Sequence, residues 1–321
     1  TMPAKGAVPG DYPLVLGGLG EGGSEAVTKM LAEADLLLIA GATWWPELYL
    51  PDQLKIIQVD AVPENIGGQI PVNFGVVGDL GVLLPRFRDG LAVKDKPAWR
   101  NRLQELKTAW LKKIEPEWTG AGSPIPPGLV IKAVEKVIAP DAIICLDVGD
   151  HAVWFNRLFA GASQQVLVSG NWRSMGFALP AALSAQLAFP SRQVVALIGD
   201  GGFAQSLADF TTAVREKLPV KVLVLKNHYL GMEKGQMELM GLDYEVTRIT
   251  VPDFAGFARL CGGLGYKVES SGRLEATLRE AFANQQPSIV EIETAAPVFP
   301  GRIDKQEKEQ ASMERSLSAW V

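Results

Sequence analysis

The chain is poor in the side chains that most often build reactive centres. Among 321 residues there are two cysteines, Cys145 and Cys261, and two histidines, His151 and His228. One thiol sits in an apolar run and the other beside glycines, so they read as reduced cysteines of a cytoplasmic protein rather than a disulfide framework. Two histidines argue against a histidine-built metal cluster and against a catalytic triad. No apolar run is long enough to cross a bilayer, and no basic-then-apolar stretch reads as a leader. No basic stripe is visible and the net charge is −5, which argues against a nucleic-acid partner. What remains is apolar and glycine-rich: 47% hydrophobic residues against 21% charged, with 33 glycines. That composition can bury large cores, and the length allows two or three domains.

Two lobes each alternate short apolar runs with amphipathic stretches, without internal repeats. The pattern predicts an α/β chain of two doubly wound parallel-sheet domains, because strands separated by helices pair in parallel. In the first lobe, residues 1–95, Tyr12–Leu16, Leu36–Ala40 and Ile56–Val59 read as strands. Ser24–Ala34 reads as a helix capped by Ser24. Residues 96–127 hold a charged helix, about Ala98–Lys113, and then "TGAGSPIPPG", a linker by composition. The second lobe, residues 128–300, has strands at Ala142–Leu146, Val194–Ile198, Val220–Leu225 and Ser288–Ile292. A tail follows at 301–321.

The stretch "LIGDGGFAQS" (197–206) sets one carboxylate, Asp200, among glycines at the tip of a buried strand. A carboxylate there is costly unless its charge is compensated. A helix, Phe203–Glu216, and another strand follow, and that strand ends at Asn227, one strand–helix–strand unit after Asp200. A right-handed crossover puts both residues at the carboxyl ends of strands, where ligands bind in open α/β sheets. Asp and Asn oxygens are hard ligands suited to Mg²⁺, which keeps phosphates as its other ligands. Gly201 and Gly202 would offer bare backbone N–H groups to a diphosphate. The plainer alternative is a glycine-rich turn with a helix-capping Asp.

Gly199-Asp200-Gly201, then 25 residues, then Asn227 resembles the thiamine-diphosphate motif of the pyruvate oxidase and acetolactate synthase family. "LDVGDHAVWF" (146–155), "SMGFALPAAL" (174–183), "VVALIGDGGF" and "LPVKVLVLKN" resemble it in the same order. "AKGAVPGDYPL" and "KIIQVDAVPENIG" resemble its middle, Rossmann-like domain. The resemblance implies that Asp200, Asn227 and the carbonyl of Tyr229 hold Mg²⁺. It sets Gly149, Asp150, Gly201 and Gly202 against the diphosphate, with Ser174, Gly199, Leu230 and Gly231 lining the same site. Met175 would wedge under the cofactor, although core packing alone would also suit its thioether. His151 reads as a loop residue near the phosphates. The implied reaction is decarboxylation of a 2-oxo acid such as pyruvate through a carbanion/enamine, followed by protonation, oxidation by flavin or condensation with another carbonyl. Pyruvate oxidase is the nearest resemblance, through "GATWWPELYLP". Acetolactate synthase, a non-oxidative decarboxylase or lyase, and a non-catalytic cofactor-binding subunit or fragment are the alternatives. A homodimer or homotetramer is implied.

A second glycine cluster, Gly18-x-Gly20-x-x-Gly23, lies between a strand and a helix. Alone it is either a weak dinucleotide signal or a glycine-rich turn. No acid follows the next strand at Gly41, and Asp60 comes late for NAD. The resemblance suggests FAD instead, with Gly18, Gly20, Gly23, Gly41, Asp60 and Asp79 as its candidate contacts, making the chain a flavoprotein oxidoreductase. Two departures stand out. Glu233 and Gln236 replace the residue types the family commonly has in its substrate pocket, so either Glu233 repels a carboxylate substrate or its helix is shifted and it faces solvent. The family's pyrimidine-binding domain, with the glutamate that protonates the cofactor, has no counterpart in this sequence, and Thr1 falls inside the middle domain. That domain or chain is an expected partner. In the tail, Met313, Leu317, Trp320 and Val321 share one helical face, for packing on the protein's own surface or for peripheral membrane contact.

Overall fold

The computed structural model describes residues 1–43, 49–51, 53–92, 95–170 and 172–296. The tail lies outside the described residues, as does all of "WWPEL" (44–48). The chain divides into two compact units. One holds Thr1 and Tyr12–Lys113. The other holds Met2–Asp11 and the chain from Ile114 onward.

The first unit is a parallel sheet of three strands, β1 (Leu36–Ala40), β2 (Lys55–Asp60) and β3 (Phe74–Val77), in that order. Its helices are α1 (Glu25–Glu33), α2 (Leu80–Gly90) and α3 (Pro97–Ile114). Two expectations are corrected here. Tyr12–Leu16 is a turn and not a strand, since the Val15 amide bonds back to the Tyr12 carbonyl at 2.9 Å across Pro13. Ser24 occupies the N-cap position, but its hydroxyl is buried without a partner and caps nothing.

The division into compact units falls at other residues than 95 and 127. Helix α3 packs in the first unit up to Lys113. The opening segment Met2–Asp11 packs in the second unit. There the Gly10 amide donates to the Gly161 carbonyl at 2.9 Å and Lys5 Nζ to the Phe159 carbonyl at 2.6 Å. A side chain at Gly6 would fall 2.0 Å from the Gln164 carbonyl oxygen, so glycine permits the backbone contact.

The second unit is a six-stranded, all-parallel sheet. Its strands are β4 (Ile143–Leu146), β5 (Gln165–Val168), β6 (Val194–Gly199), β7 (Lys221–Lys226), β8 (Leu264–Val268) and β9 (Ser288–Glu293). Their spatial order is β5-β4-β6-β7-β9-β8. From β4 the chain goes out to β5 on one side and returns to β6 on the other. The strand order therefore reverses between β4 and β6, and a crevice opens at the carboxyl ends of those two strands. Helices α4 (Pro127–Val137), α5 (Asp150–Leu158), α6 (Ala178–Ala188), α7 (Asp200–Ser206), α8 (Phe210–Arg215), α9 (Gly231–Leu239), α10 (Phe254–Leu260) and α11 (Ser271–Ala283) connect the strands. The single helix expected over Phe203–Glu216 starts earlier and is broken at Ser206, whose backbone leaves the helical region (φ −121°, ψ 5°).

The β4, β6 and β7 strands read as unbroken apolar runs because the sheet is buried. Leu179 and Ala182 of α6, Phe203, Phe210 and Phe254 share one cluster with these strands. The buried Lys226 at the end of β7 bonds Glu291 of β9 at 2.8 Å, and Glu291 also accepts the Phe254 and Ala255 amides at 2.7 and 3.1 Å. Each buried charge is thus hydrogen-bonded, which removes most of its desolvation cost. None of the described helices is long and apolar enough to cross a membrane.

Phe203, on the helix that starts at Asp200, meets Phe254 edge-on at 4.8 Å, and both are fully buried. Phe203→Ala should lower stability by about 3–5 kcal/mol. Urea unfolding of the variant beside the parent tests this; a loss under about 1 kcal/mol would show that α7 is not held by this contact.

Candidate functional site

Three strand ends supply the site at the reversal point. Beyond β4 run Asp147, Val148, Gly149 and Asp150, the last opening α5. Beyond β6 comes Asp200, opening α7. Beyond β7 come Asn227, His228 and Tyr229. Asp200 is buried; its Oδ1 accepts the Gly201 amide at 3.0 Å and its Oδ2 the His228 amide at 2.7 Å. Asn227 is buried too. Its Oδ1 accepts the Tyr229 amide at 3.0 Å, and its Nδ2 donates to Asp150 Oδ2 at 3.1 Å. This return of the chain onto Asp200 and Asn227 needs a left-handed residue, and His228 supplies it at φ +63°. The bend is pinned by His228 Nε2 against Glu293 at 2.8 Å and by the Ile249 amide on the His228 carbonyl at 2.9 Å.

The electrostatics are unbalanced. Burial raises the Asp200 carboxyl, against the opposing pull of the His228 and Gly201 amides. Burial, and then the charge of Asp200, push Asp150 up to about 6. Among the described residues neither carboxylate has an ion-pair partner. His151 is pushed down to about 4 by burial. Its Nε2 bonds the Asp147 carbonyl at 3.1 Å, and its Nδ1 is buried without a partner.

Glycines shape the cleft, of about 120 Å³, that opens over these groups. A Cβ at Gly149 would lie 2.6 Å from the His151 ring, one at Gly231 2.7 Å from the Asp150 carboxyl, and one at Gly202 2.1 Å from Asp147 Oδ2. At Gly201 it would meet Leu230 at 2.9 Å and the Met175 methyl at 3.4 Å. Of the residues expected from sequence, the structure gathers Gly149, Asp150, His151, Met175 and Gly199–Gly202 at this cleft, with Tyr229–Gly231 beside them. Asn227 lies behind it, holding Asp150. Ser174 is exposed and off the lining, its hydroxyl donating to the Met175 carbonyl at 3.2 Å. Gln236 is exposed and off the lining as well. Glu233 lines the cleft yet remains exposed, so it stands at an open rim.

Sequence reasoning passed over Arg173, which lines the cleft in a left-handed conformation (φ 47°), and Asp147, buried beneath it. Asp147 stands in "LDVGDH", but nothing local distinguishes a buried acceptor from a capping Asp. Among the described residues, no group of three or more His, Cys, Asp or Glu side chains is placed to hold a metal. A set of one carboxylate, one side-chain amide and one backbone carbonyl is not such a group.

In the first unit, a cavity of about 470 Å³ opens at the strand ends, lined by Gly41, Asp60 and Asp79 among others. Asp60 Oδ1 accepts the Val62 amide at 2.9 Å and Asn65 Nδ2 at 3.0 Å, and Asp79 caps α2 through the Gly81 amide at 2.7 Å. Gly18, Gly20 and Gly23 do not line it. Their turn closes on itself, with the Gly23 amide on the Gly20 carbonyl and the Ser24 amide on the Gly18 carbonyl, each at 2.8 Å.

Residues 147–292 match the family model of the C-terminal TPP-binding domain of thiamine pyrophosphate enzymes, and residues 1–87 match that of their central domain. The chain belongs to the thiamine pyrophosphate enzymes. YdaP of Bacillus subtilis, which carries a provisional name as a thiamine pyrophosphate-containing protein, is 37% identical over 306 residues, covering 94% of this chain and 53% of the relative. The acetolactate synthase isozyme 2 large subunit of Escherichia coli is 30% identical, over 94% of this chain and 56% of its own. Sulfoacetaldehyde acetyltransferase of Rhodobacter capsulatus is 29% identical, over 87% and 52%. This thiamine pyrophosphate enzyme chain spans about half the length of the curated relatives it matches. Their names speak for the synthase and acetyltransferase side of the family and not specifically for pyruvate oxidase.

The depressed imidazole gives a sign to test. A base whose folded pKa lies below its unfolded value stabilises the fold above about pH 6.5 and loses that contribution as pH falls toward 4. The His151→Gln variant should therefore gain on the parent as pH drops through that window. Denaturant unfolding across a pH series checks it; a pH-independent difference would refute the buried neutral imidazole.

Proposed function

We propose that the second unit holds thiamine diphosphate and Mg²⁺ in the cleft between β4 and β6, as part of an enzyme that decarboxylates a 2-oxo acid. The observation that carries this reading is the pair of buried carboxyls, Asp150 and Asp200, set in a glycine cradle and without an ion-pair partner among the described residues. A divalent ion would relieve their repulsion, and the missing side chains leave room for a diphosphate. Asp200, Asn227 and the Tyr229 carbonyl would hold the ion. The backbone at Gly149, Asp150, Gly201 and Gly202 would face the phosphates. His151, with one unpartnered ring nitrogen, would offer a second donor there once protonated.

Thiamine diphosphate, when bound, supplies a nucleophilic carbon and an electron sink. The chain's part is orientation: Met175 lies against Gly201 at the cleft floor, and Arg173 and Glu233 bear on an anionic substrate at the rim. The glutamate that protonates the pyrimidine in the family would come from a pyrimidine-binding domain or chain beyond residues 1–321, within a homodimer or homotetramer. The pyruvate oxidase reading adds FAD in the first unit, and the cavity at Gly41, Asp60 and Asp79 supports a ligand there. The acetolactate synthase-like reading, in which a second carbonyl compound takes up the carbon fragment, is favoured by the relatives' names.

Calorimetry should find thiamine diphosphate binding that requires a divalent cation and is weakened by about 2 kcal/mol or more in Asp200→Ala, the scale of losing a charged ligand. Equal affinity in parent and variant would remove the metal assignment. The flavin reading has its own test. The parent refolded with excess FAD and then desalted should keep a flavin absorbance band; a colourless protein would leave the first unit's cavity without that ligand.

A further inference from the structure

We propose that Asp147 is a positioning residue that fixes both flanks of the cofactor cleft, its carbonyl holding His151 and its carboxylate holding the segment that carries Met175. The proposal rests on the thiamine diphosphate reading above. Asp147 is 1% exposed and directly follows β4. Its own amide bonds the Leu197 carbonyl at 2.9 Å, continuing the ladder to β6. Its carbonyl accepts His151 Nε2 at 3.1 Å. Its carboxylate accepts three amides: Gly176 on Oδ2 at 3.0 Å, and Phe177 and Ala178 on Oδ1 at 2.8 and 3.3 Å.

The last three bonds are more than a helix cap. The N-cap position of α6 is Phe177, whose side chain cannot accept a hydrogen bond. A local Ser or Asp there would reach only the Leu179 amide, since Pro180 has none, and would tie α6 only to itself. An acceptor some thirty residues away ties α6 to the end of β4 instead. Gly176 turns the chain at φ +81°, and the residue before it, Met175, lines the cleft with its methyl against Gly201. On the far side, any side chain at Gly202 would strike Asp147 Oδ2, so α7 closes directly on this carboxylate. A buried carboxylate is costly to keep, and the three amides offset that cost only while the Met175 segment stays in place.

The test uses the full chain and two probes, Mg²⁺ with thiamine diphosphate and Mg²⁺ with inorganic pyrophosphate. Asp147→Asn leaves an acceptor for Phe177 and Ala178 but turns an NH₂ group toward the Gly176 amide. Thiamine diphosphate affinity should fall about tenfold, the effect of roughly one lost hydrogen bond, while pyrophosphate affinity stays within about twofold. Met175→Ala should show the same split. The double variant should be no weaker than the worse single one, because both changes act through one segment. Additive losses, equal losses on both probes, or no loss would overturn the positioning role while leaving the cofactor reading intact. A parent that binds neither probe would overturn the cofactor reading and this proposal together. Should Asp147→Asn fail to fold, amide exchange in the parent decides: the Gly176, Phe177 and Ala178 amides should be protected before any cofactor is added, and rapid exchange there would overturn the proposal.

Discussion

Keeping carboxylates out of water at the ends of β4 and β6 is the constraint around which the second unit is arranged. Three of them lie within a few residues of those strand ends, and each is handled differently. Asp147 is satisfied internally, by three amides of one segment. Asp200 is half satisfied, by the amides of Gly201 and His228. Asp150 has the Asn227 amide and the repulsion of Asp200. A structural carboxylate can sit at the first position, but the last two make sense as part of a site that receives positive charge.

The same constraint explains the glycines. Gly149, Gly202 and Gly231 each stand where a Cβ would strike a side chain of the site at under 3 Å. The carboxylates and the imidazole are therefore packed against backbone. Bare backbone brings N–H groups close to the acids and leaves the remaining volume to a ligand. His228 pays for this geometry with a left-handed backbone, held by Glu293 and the Ile249 amide.

Much of this was legible because strand–helix–strand spacing is a length constraint. Asp200 and Asn227 could be set at neighbouring strand ends from their separation alone, since one crossover consumes about that many residues. The buried strands were legible from their apolar runs. The edge strands β3, β5 and β8 were not, because "FGVV", "QVLV" and "LGYKV" carry the mixed patterns of half-covered edges. Tyr12–Leu16 misled for the converse reason: an apolar run is ambiguous when a Pro and a turn interrupt it. The glycines at 18, 20 and 23 matched a phosphate-binding spacing, yet their hydrogen bonds fold the turn onto itself, which spacing cannot reveal. Asp147 was hidden because its partners lie some thirty residues away.

The rim follows a different physics from the floor. Glu233 and Arg173 are exposed, so their effect on an anionic substrate depends on the dielectric around them more than on their distance. At 4 Å, a carboxylate facing Glu233 in open water feels about 1 kcal/mol of repulsion, a factor of a few in binding. Under a cover that lowers the effective dielectric to about 20, the same pair is worth about 4 kcal/mol, close to a thousandfold. Arg173 gains by the same factor with the opposite sign. On the proposed reading, discrimination among anionic substrates would therefore not be fixed by this unit alone. On that reading the buried floor would set where a cofactor's diphosphate can lie, whereas the rim charges would become selective only to the extent that another surface closes over them.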